Sequence, residues 1–172
     1  MKVSSRTLGE APFNFDVGWP FPDEERQILE SAVKNVEIKT PAEIGAMEPL
    51  LDQQLVKYGY LWSQKHRERC RIWRPEFDMT LDFFNEAKKI GIEVEKTEVK
   101  RIIHDILKLI NGSLTFVPKI RYGVIIYPKE YRRVSDKVSP FAARVEREVP
   151  FYFRRLLINT MLNDLLLITY DF

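Results

Sequence analysis

The run Lys65 to Arg74 (KHRERCRIWR) holds the densest set of chemically capable side chains in this sequence. On a helix Arg67, Arg71 and Arg74 share one stripe, where three guanidinium groups can grip phosphates or carboxylates in bidentate fashion, with Trp73 beside them to stack on a base. The plainer reading is a solvated helix end whose cations complement the negative pole of the helix dipole. In the same run His66 and Cys70 stand four apart and could meet on one helix face, the spacing of a metal-ligand pair or of a thiol and its base. A structural zinc needs four ligands, and the only other histidine is His104. A nucleophilic dyad needs an orienting group and oxyanion donors, and no motif supplies them. His104 and Asp105 are sequence neighbours, which point apart on a helix. No metal site, no cofactor and no catalytic set is therefore expected.

A second basic and aromatic group comprises Lys119, Arg121, Tyr122, Tyr127, Lys129, Tyr131, Arg132 and Arg133. On a hairpin it could present a ribbon to RNA or to protein, or guard an exposed strand edge against unwanted pairing. Charge is unevenly spread. Residues 115–155 hold ten Lys or Arg against four Asp or Glu, whereas residues 1–114 hold seventeen against nineteen, and the whole chain is only +2. One face is thus able to attract phosphate or acidic protein.

Pro22 and Asp23, followed by Glu37, Ile38 and Lys39, resemble the PD...(D/E)xK signature of a metal-dependent nuclease family. The resemblance implies acidic side chains holding Mg²⁺ and a lysine that assists the attacking water. In that family the two parts sit on adjacent strands. Here residues 23–35 between them read as a helix, which makes Asp23 a cap and leaves the nuclease as the remote alternative. The seven glycines are scattered singly, with neither a P-loop nor a dinucleotide-binding pattern.

The elements that would position these groups read mostly as helices. Residues 1–22 form an extended arm broken by Pro12, Pro20 and Pro22, with Phe13, Phe15, Trp19 and Phe21 spaced along it to dock in a partner or in the chain's own core. Residues 23–172 form one domain. Asp23 to Asn35 has a helical period with acidic residues at its start. Thr40-Pro41-Ala42-Glu43 is a capping box that opens the next helix, and a further one is expected from Pro49 to Trp73. Phe77 to Ile90 reads as an amphipathic helix stopped by Gly91, and Ile92 to Lys96 as a strand. Thr97 to Asn111 reads as a helix with Val99, Ile102, Ile103, Ile106 and Ile110 inward, and Glu98, Arg101, Asp105 and Lys108 on a solvated face. Leu114 to Val117 and Ile120 to Tyr127 read as a hairpin. Two last helices open at Pro140 and Pro150, the second, to about Thr169, apolar almost all round.

These elements give an α+β fold, predominantly helical, of about five to six helices with a small antiparallel hairpin or sheet near residues 114–127. A single cysteine excludes an internal disulfide and favours a reducing compartment or an assembled particle over secretion. The expected function is a non-enzymatic structural or accessory subunit of a large assembly, a virion or phage particle or an organellar complex. The arm residues Phe13, Phe15, Trp19 and Phe21 would bind other protein subunits. The alternative is an RNA- or DNA-contacting protein using Arg67, Arg71, Arg74, Lys119, Arg121, Lys129, Arg132 and Arg133. No membrane span is expected, because the last apolar stretch carries Arg154, Arg155 and Asp164.

Overall fold

The two most apolar runs of the chain, Val124–Tyr127 and Leu165–Ile168, are short and have every side chain buried. They are the centres of two neighbouring strands rather than of helices. A strand covered on both faces needs apolar residues at every position, so the alternation that marks a half-buried strand disappears. The computed structural model describes residues 1–72, 79–96, 98–114, 119–132, 138–156 and 162–171.

The sheet has six strands. These are β1 (Lys2–Thr7), β2 (Leu61–Trp62), β3 (Phe83–Asn85), β4 (Ile90–Val94), β5 (Tyr122–Pro128) and, last in the chain, a strand that is numbered β8 (Asp164–Asp171). A separate small ribbon pairs β6 (Tyr131–Arg132) with β7 (Val138–Ser139). The order across the main sheet is β1-β8-β5-β4-β3-β2. Strands β4, β5 and β8 are parallel, and β1, β3 and β2 are added antiparallel at the two sides.

Helices cover both faces, as the parallel core requires. On one face α1 (Asp23–Lys34) and α2 (Met47–Leu55) bury Leu29, Val33, Met47, Leu51 and Leu55 against Ile92, Val94, Val124, Ile126, Leu166 and Ile168. On the other, α4 (Ile102–Ser113) and α5 (Phe141–Leu156) bury Ile106, Leu109, Phe141, Val145 and Val149 against Ile125, Tyr127, Leu165 and Leu167. A short helix, α3 (Ser63–Cys70), closes the β2 side.

The predominantly helical α+β expectation is therefore wrong: this is a three-layer α/β fold around a mixed six-stranded sheet. Three expected helices are shortened, merged or replaced. The long helix from Pro49 ends at Leu55, and a turn through Gly59, at φ +82°, leads into β2. The helix expected over 77–90 is β3 and the turn into β4 where it is described. The helix expected to open at Pro150 is the second half of α5, which carries Pro150 internally, followed by β8. The hairpin of 114–127 is replaced by β5, parallel to both its neighbours, while residues 115–118 lie outside those described.

Within the first 22 residues, β1 pairs with β8, Phe13 and Phe21 are buried, Phe15 packs partly against the core, and Trp19 stands 68% exposed. The carboxylate of Asp164 fixes this segment by accepting the backbone N–H groups of Leu8 and Phe21.

A pair of glycines keeps the sheet surface clear for close packing, with Gly123 under α4. Gly91 and Gly123 are register partners on β4 and β5. A Cβ at Gly123 would lie 3.0 Å from Leu109 of α4 and 2.8 Å from Leu165, and one at Gly91 would lie 2.9 Å from Leu81. Without those atoms the helix lies down close on the strands, and its polar residues reach the end of β4.

Candidate active site

Five carboxylates, Glu48, Asp82, Glu93, Glu95 and Asp105, gather at the C-terminal end of β4. The antiparallel register of β3 and β4 pairs Phe83 with Ile92, and one step further it sets Asp82 across from Glu93. Asp82 Oδ2 accepts the backbone N–H of Val94 at 2.7 Å, which ties the two strands where their ladder ends. Ile92 and Val94 point into the α1/α2 core. By alternation Glu93 points the other way, toward α4.

Glu95 follows the strand, its N–H donating to Ile126 at 2.9 Å. Its Oε1 accepts the N–H groups of Lys96 and Glu98, at 2.8 and 3.0 Å, and its Oε2 lies 3.7 Å from Arg101. Glu48 reaches the same rim from α2 on the opposite face, held by Lys96. These residues, with Arg101, Asp105 and Lys108, line a cavity of about 170 Å³, room for a hydrated ion and a phosphate oxygen or two.

Glu93 is the deepest of the group, 1% exposed. Its Oε2 accepts a hydrogen bond from the ammonium of Lys108, which also donates to the carbonyl of Thr80 at 3.3 Å. Asp105, one turn earlier on α4, lies 3.9 Å from the same ammonium. Glu93 Oε1 is buried with no hydrogen-bond partner among the described residues. Burial, and then the neighbouring Asp82, push the Glu93 carboxyl well above its usual range, against the pull of Lys108. Burial likewise raises Asp82, and raises Asp105 to about 7. Burial works against the charge of Lys108, but Glu93 and Asp82 outweigh it and hold the ammonium protonated. One cation is thus shared among three acids, two of them buried and Asp82 partly so, which leaves the cluster short of positive charge.

That deficit is the test of whether a metal fits. Among the described residues no three His, Cys, Asp or Glu side chains already form a metal cage. Mg²⁺ needs less than a cage: it takes oxygen ligands, often only one or two protein carboxylates, and completes its shell with water and substrate phosphate. Asp82 and Glu93 supply two such carboxylates, all the donors are hard oxygens, and a buried oxygen of Glu93 lacks a partner. The residues fit.

The groups singled out from the sequence lie elsewhere. Asp23 is exposed in the first turn of α1, and Glu37 and Lys39 are exposed on the loop after it, so the resemblance fell on the wrong residues. Asp105 and Lys108, expected on a solvated face, are buried and turned toward Glu93.

Among the described residues the two basic groups meet at one point, Lys119 against Arg71, and the rest are spread apart. Arg67 is exposed on α3, and Arg71 pairs with Glu68 at 2.6 Å. Lys119 donates to the carbonyl of Arg71 and lies over the ring of Phe84. Arg121 stands by the start of β5, beside Trp19, and Lys129 lies 3.7 Å from Asp171. Arg132 is placed only by its backbone in β6, and Arg74 and Arg133 lie outside the described residues. His66 breaks the helical backbone of α3 at φ −134°, ψ 44°, so its spacing to Cys70 is not that of a helix face. Cys70 is buried, donates to the carbonyl of Leu61, and has its thiol pushed up to about 11 by burial. It is not poised as a nucleophile.

Glu93-Val94-Glu95 did carry a signal. Two carboxylates at i and i+2 lie on one face of a strand that is otherwise apolar, a costly placement unless the acids are used. Asp82 offers none by spacing alone, because only the fold brings it opposite Glu93.

A search of curated proteins finds no match. Among solved structures the chain is similar to the crystal structure of restriction endonuclease BglII complexed with a DNA 16-mer, with a TM-score of 0.66 at 9% sequence identity, covering 100% of this chain and 77% of that one. A family model described as "Putative halobacteria restriction endonuclease" matches residues 21–170. These findings overturn the expectation of a non-enzymatic structural subunit of a virion or organellar complex, together with the helical, virion-component character attached to it. With 150 consecutive residues matched by that model, and its sheet carrying acids at the end of β4, the chain belongs to this restriction endonuclease family.

Proposed function

We propose that the chain is a metal-dependent endonuclease that hydrolyses phosphodiester bonds in double-stranded DNA. The observation that carries this reading is the pairing of Asp82 with Glu93 at the end of β3 and β4, where a buried Glu93 oxygen has no partner and faces a small, acid-lined cavity. Family membership and the fold shared with a DNA-bound restriction endonuclease support it.

Asp82 and Glu93 would hold the divalent ion, which when bound polarises a phosphoryl oxygen and lowers the pKa of a bound water. Glu95 is anchored by two backbone N–H groups at the rim of the cavity, beside Arg101, where its carboxylate would help to position the attacking water. Lys108 supplies the single positive charge buried in the cluster and stabilises charge that grows on the phosphate. Lys96 is committed to Glu48 and stiffens the rim.

The test is cleavage of supercoiled and linear duplex DNA with Mg²⁺. Asp82→Asn and Glu93→Gln should each lower the rate by about a thousandfold or more, the scale of a lost metal or electrostatic partner, while circular dichroism confirms that both remain folded. Cleavage by either folded variant at the wild-type rate would remove the site from the reaction.

A further inference from the structure

We propose that Lys108 is a resident counter-ion that competes with the divalent metal for Glu93, and that Asp105 receives its ammonium when the metal enters. This inference rests on the reading of Asp82 and Glu93 as metal ligands.

The Glu93 carboxylate is almost fully enclosed, and the ammonium that meets it lies 3.9 Å from Asp105. Among the described residues, the ion pairs of Glu93 reduce to one, with Lys108. A divalent ion seated between Asp82 and Glu93 brings a second cation against the same carboxylate. At low dielectric two cations a few ångströms apart repel strongly, so the ammonium cannot keep its place on Oε2 while the ion sits on the carboxylate. The lysine has somewhere to go. Its four-carbon stem is flexible, and Asp105 Oδ1 lies 3.9 Å from Nζ, one helical turn away on the same face of α4.

The arrangement also explains why α4 carries two buried charged residues. Lys108 keeps the metal-free cluster from accumulating uncompensated negative charge, and Asp105 offers the seat to which that charge moves. The transfer leaves the ammonium inside the cavity, still on the side of the site that faces the end of β4.

Metal affinity measured without DNA tests this directly, by calorimetric titration with Mg²⁺ and with Mn²⁺. Lys108→Gln removes the competing charge and keeps a donor for Glu93, and should bind either ion about tenfold more tightly than wild type. Lys108→Arg keeps the charge and should bind no more tightly than wild type. Asp105→Asn removes the alternative seat and should bind several-fold more weakly. If Lys108→Gln folds poorly, the Asp105→Asn result and the melting-temperature rise on adding Mg²⁺ decide, since competition requires a smaller rise in Asp105→Asn than in wild type. Equal or weaker metal binding by folded Lys108→Gln overturns the competition while leaving the metal site intact. No metal binding by wild type, or binding unaffected by Glu93→Gln, overturns the nuclease reading as well.

Discussion

The ammonium of Lys108 and the carboxylate of Glu93 meet where their side chains are only 10% and 1% exposed. Each is the other's compensation, and neither has water to fall back on. Removing one member of a buried pair is costly chiefly because of the charge left behind. Lys108→Met should therefore lower stability by roughly 3 kcal/mol, read as a shift in the urea midpoint. The double variant Glu93→Gln, Lys108→Met should recover part of that loss, because the most enclosed carboxylate is removed together with its cation while Asp82 and Asp105 remain. Additive losses in the double-mutant cycle would show that the two groups do not act as a pair.

Asp105 makes the metal-free protein sensitive to pH. Burial raises its carboxyl to about 7, with Glu95 and Asp82 adding to the effect and Lys108 opposing it. The folded state then holds a proton that the unfolded chain, with an ordinary Asp near 4, has already released. Stability from this group is fully present below about pH 4 and is lost as pH rises toward 7. Asp105→Asn should remove that component and gain roughly 2 kcal/mol at pH 8, with little difference from wild type at pH 4. Urea melts at the two pH values, in chelator, check the sign, and a variant less stable than wild type at pH 8 would contradict it.

How much of this could be read from the sequence depends on which physical signal each element left. Helix α1 shows its period, with Leu29, Ala32 and Val33 buried and three acids in its first turn. The inward Ile102, Ile106 and Ile110 mark α4 equally well. Strand β8 could not be told from a helix by periodicity, because Leu165 to Ile168 are apolar on both sides. A pattern that suits a helix covered all round also suits a strand between two helical layers. The site suffered a different loss. Asp82, Glu93 and Lys108 lie on three elements whose meeting depends on the sheet order, and the solvated-face reading of α4 followed from treating that helix as exposed. The resemblance in Asp23, Glu37 and Lys39 named the chemistry proposed here, but on residues that stay at the surface.

Asp164 decides whether the segment before α1 stays on the sheet. Its Oδ1 accepts the N–H groups of Leu8 at 3.2 Å and Leu165 at 2.8 Å, and its Oδ2 accepts that of Phe21 at 3.0 Å. Burial raises its carboxyl, and those N–H groups partly offset the rise. An amide cannot accept on both sides. In Asp164→Asn one N–H would face the side-chain NH₂, a buried mismatch of about 1–3 kcal/mol. The expected result is a lower urea midpoint and faster protease cutting between residues 9 and 20, the stretch these bonds pin at both ends. A variant as resistant as wild type would place the anchoring in the packing of Phe13 and Phe21 instead.

Phosphate recognition beside the cavity should fall to the start of α4. Arg101 is 59% exposed at its side chain, lines the cavity, and is held only loosely, at 3.7 Å, by Glu95. Lys100 is 75% exposed in the same turn. Both precede the first turn of α4, whose unpaired N–H groups favour negative charge. A duplex whose scissile phosphate enters the cavity would bring its neighbouring phosphates within reach of these two cations. Arg101→Ala, assayed in Ca²⁺ so that DNA binds without turnover, should weaken affinity to a similar degree for unrelated sequences. It should also reduce the slope of log affinity against log salt by about one. An unchanged slope would mean that Arg101 does not release a counter-ion on binding. The backbone contacts would then have to come from the other side of the cavity, where α2 brings Glu48 and Lys96.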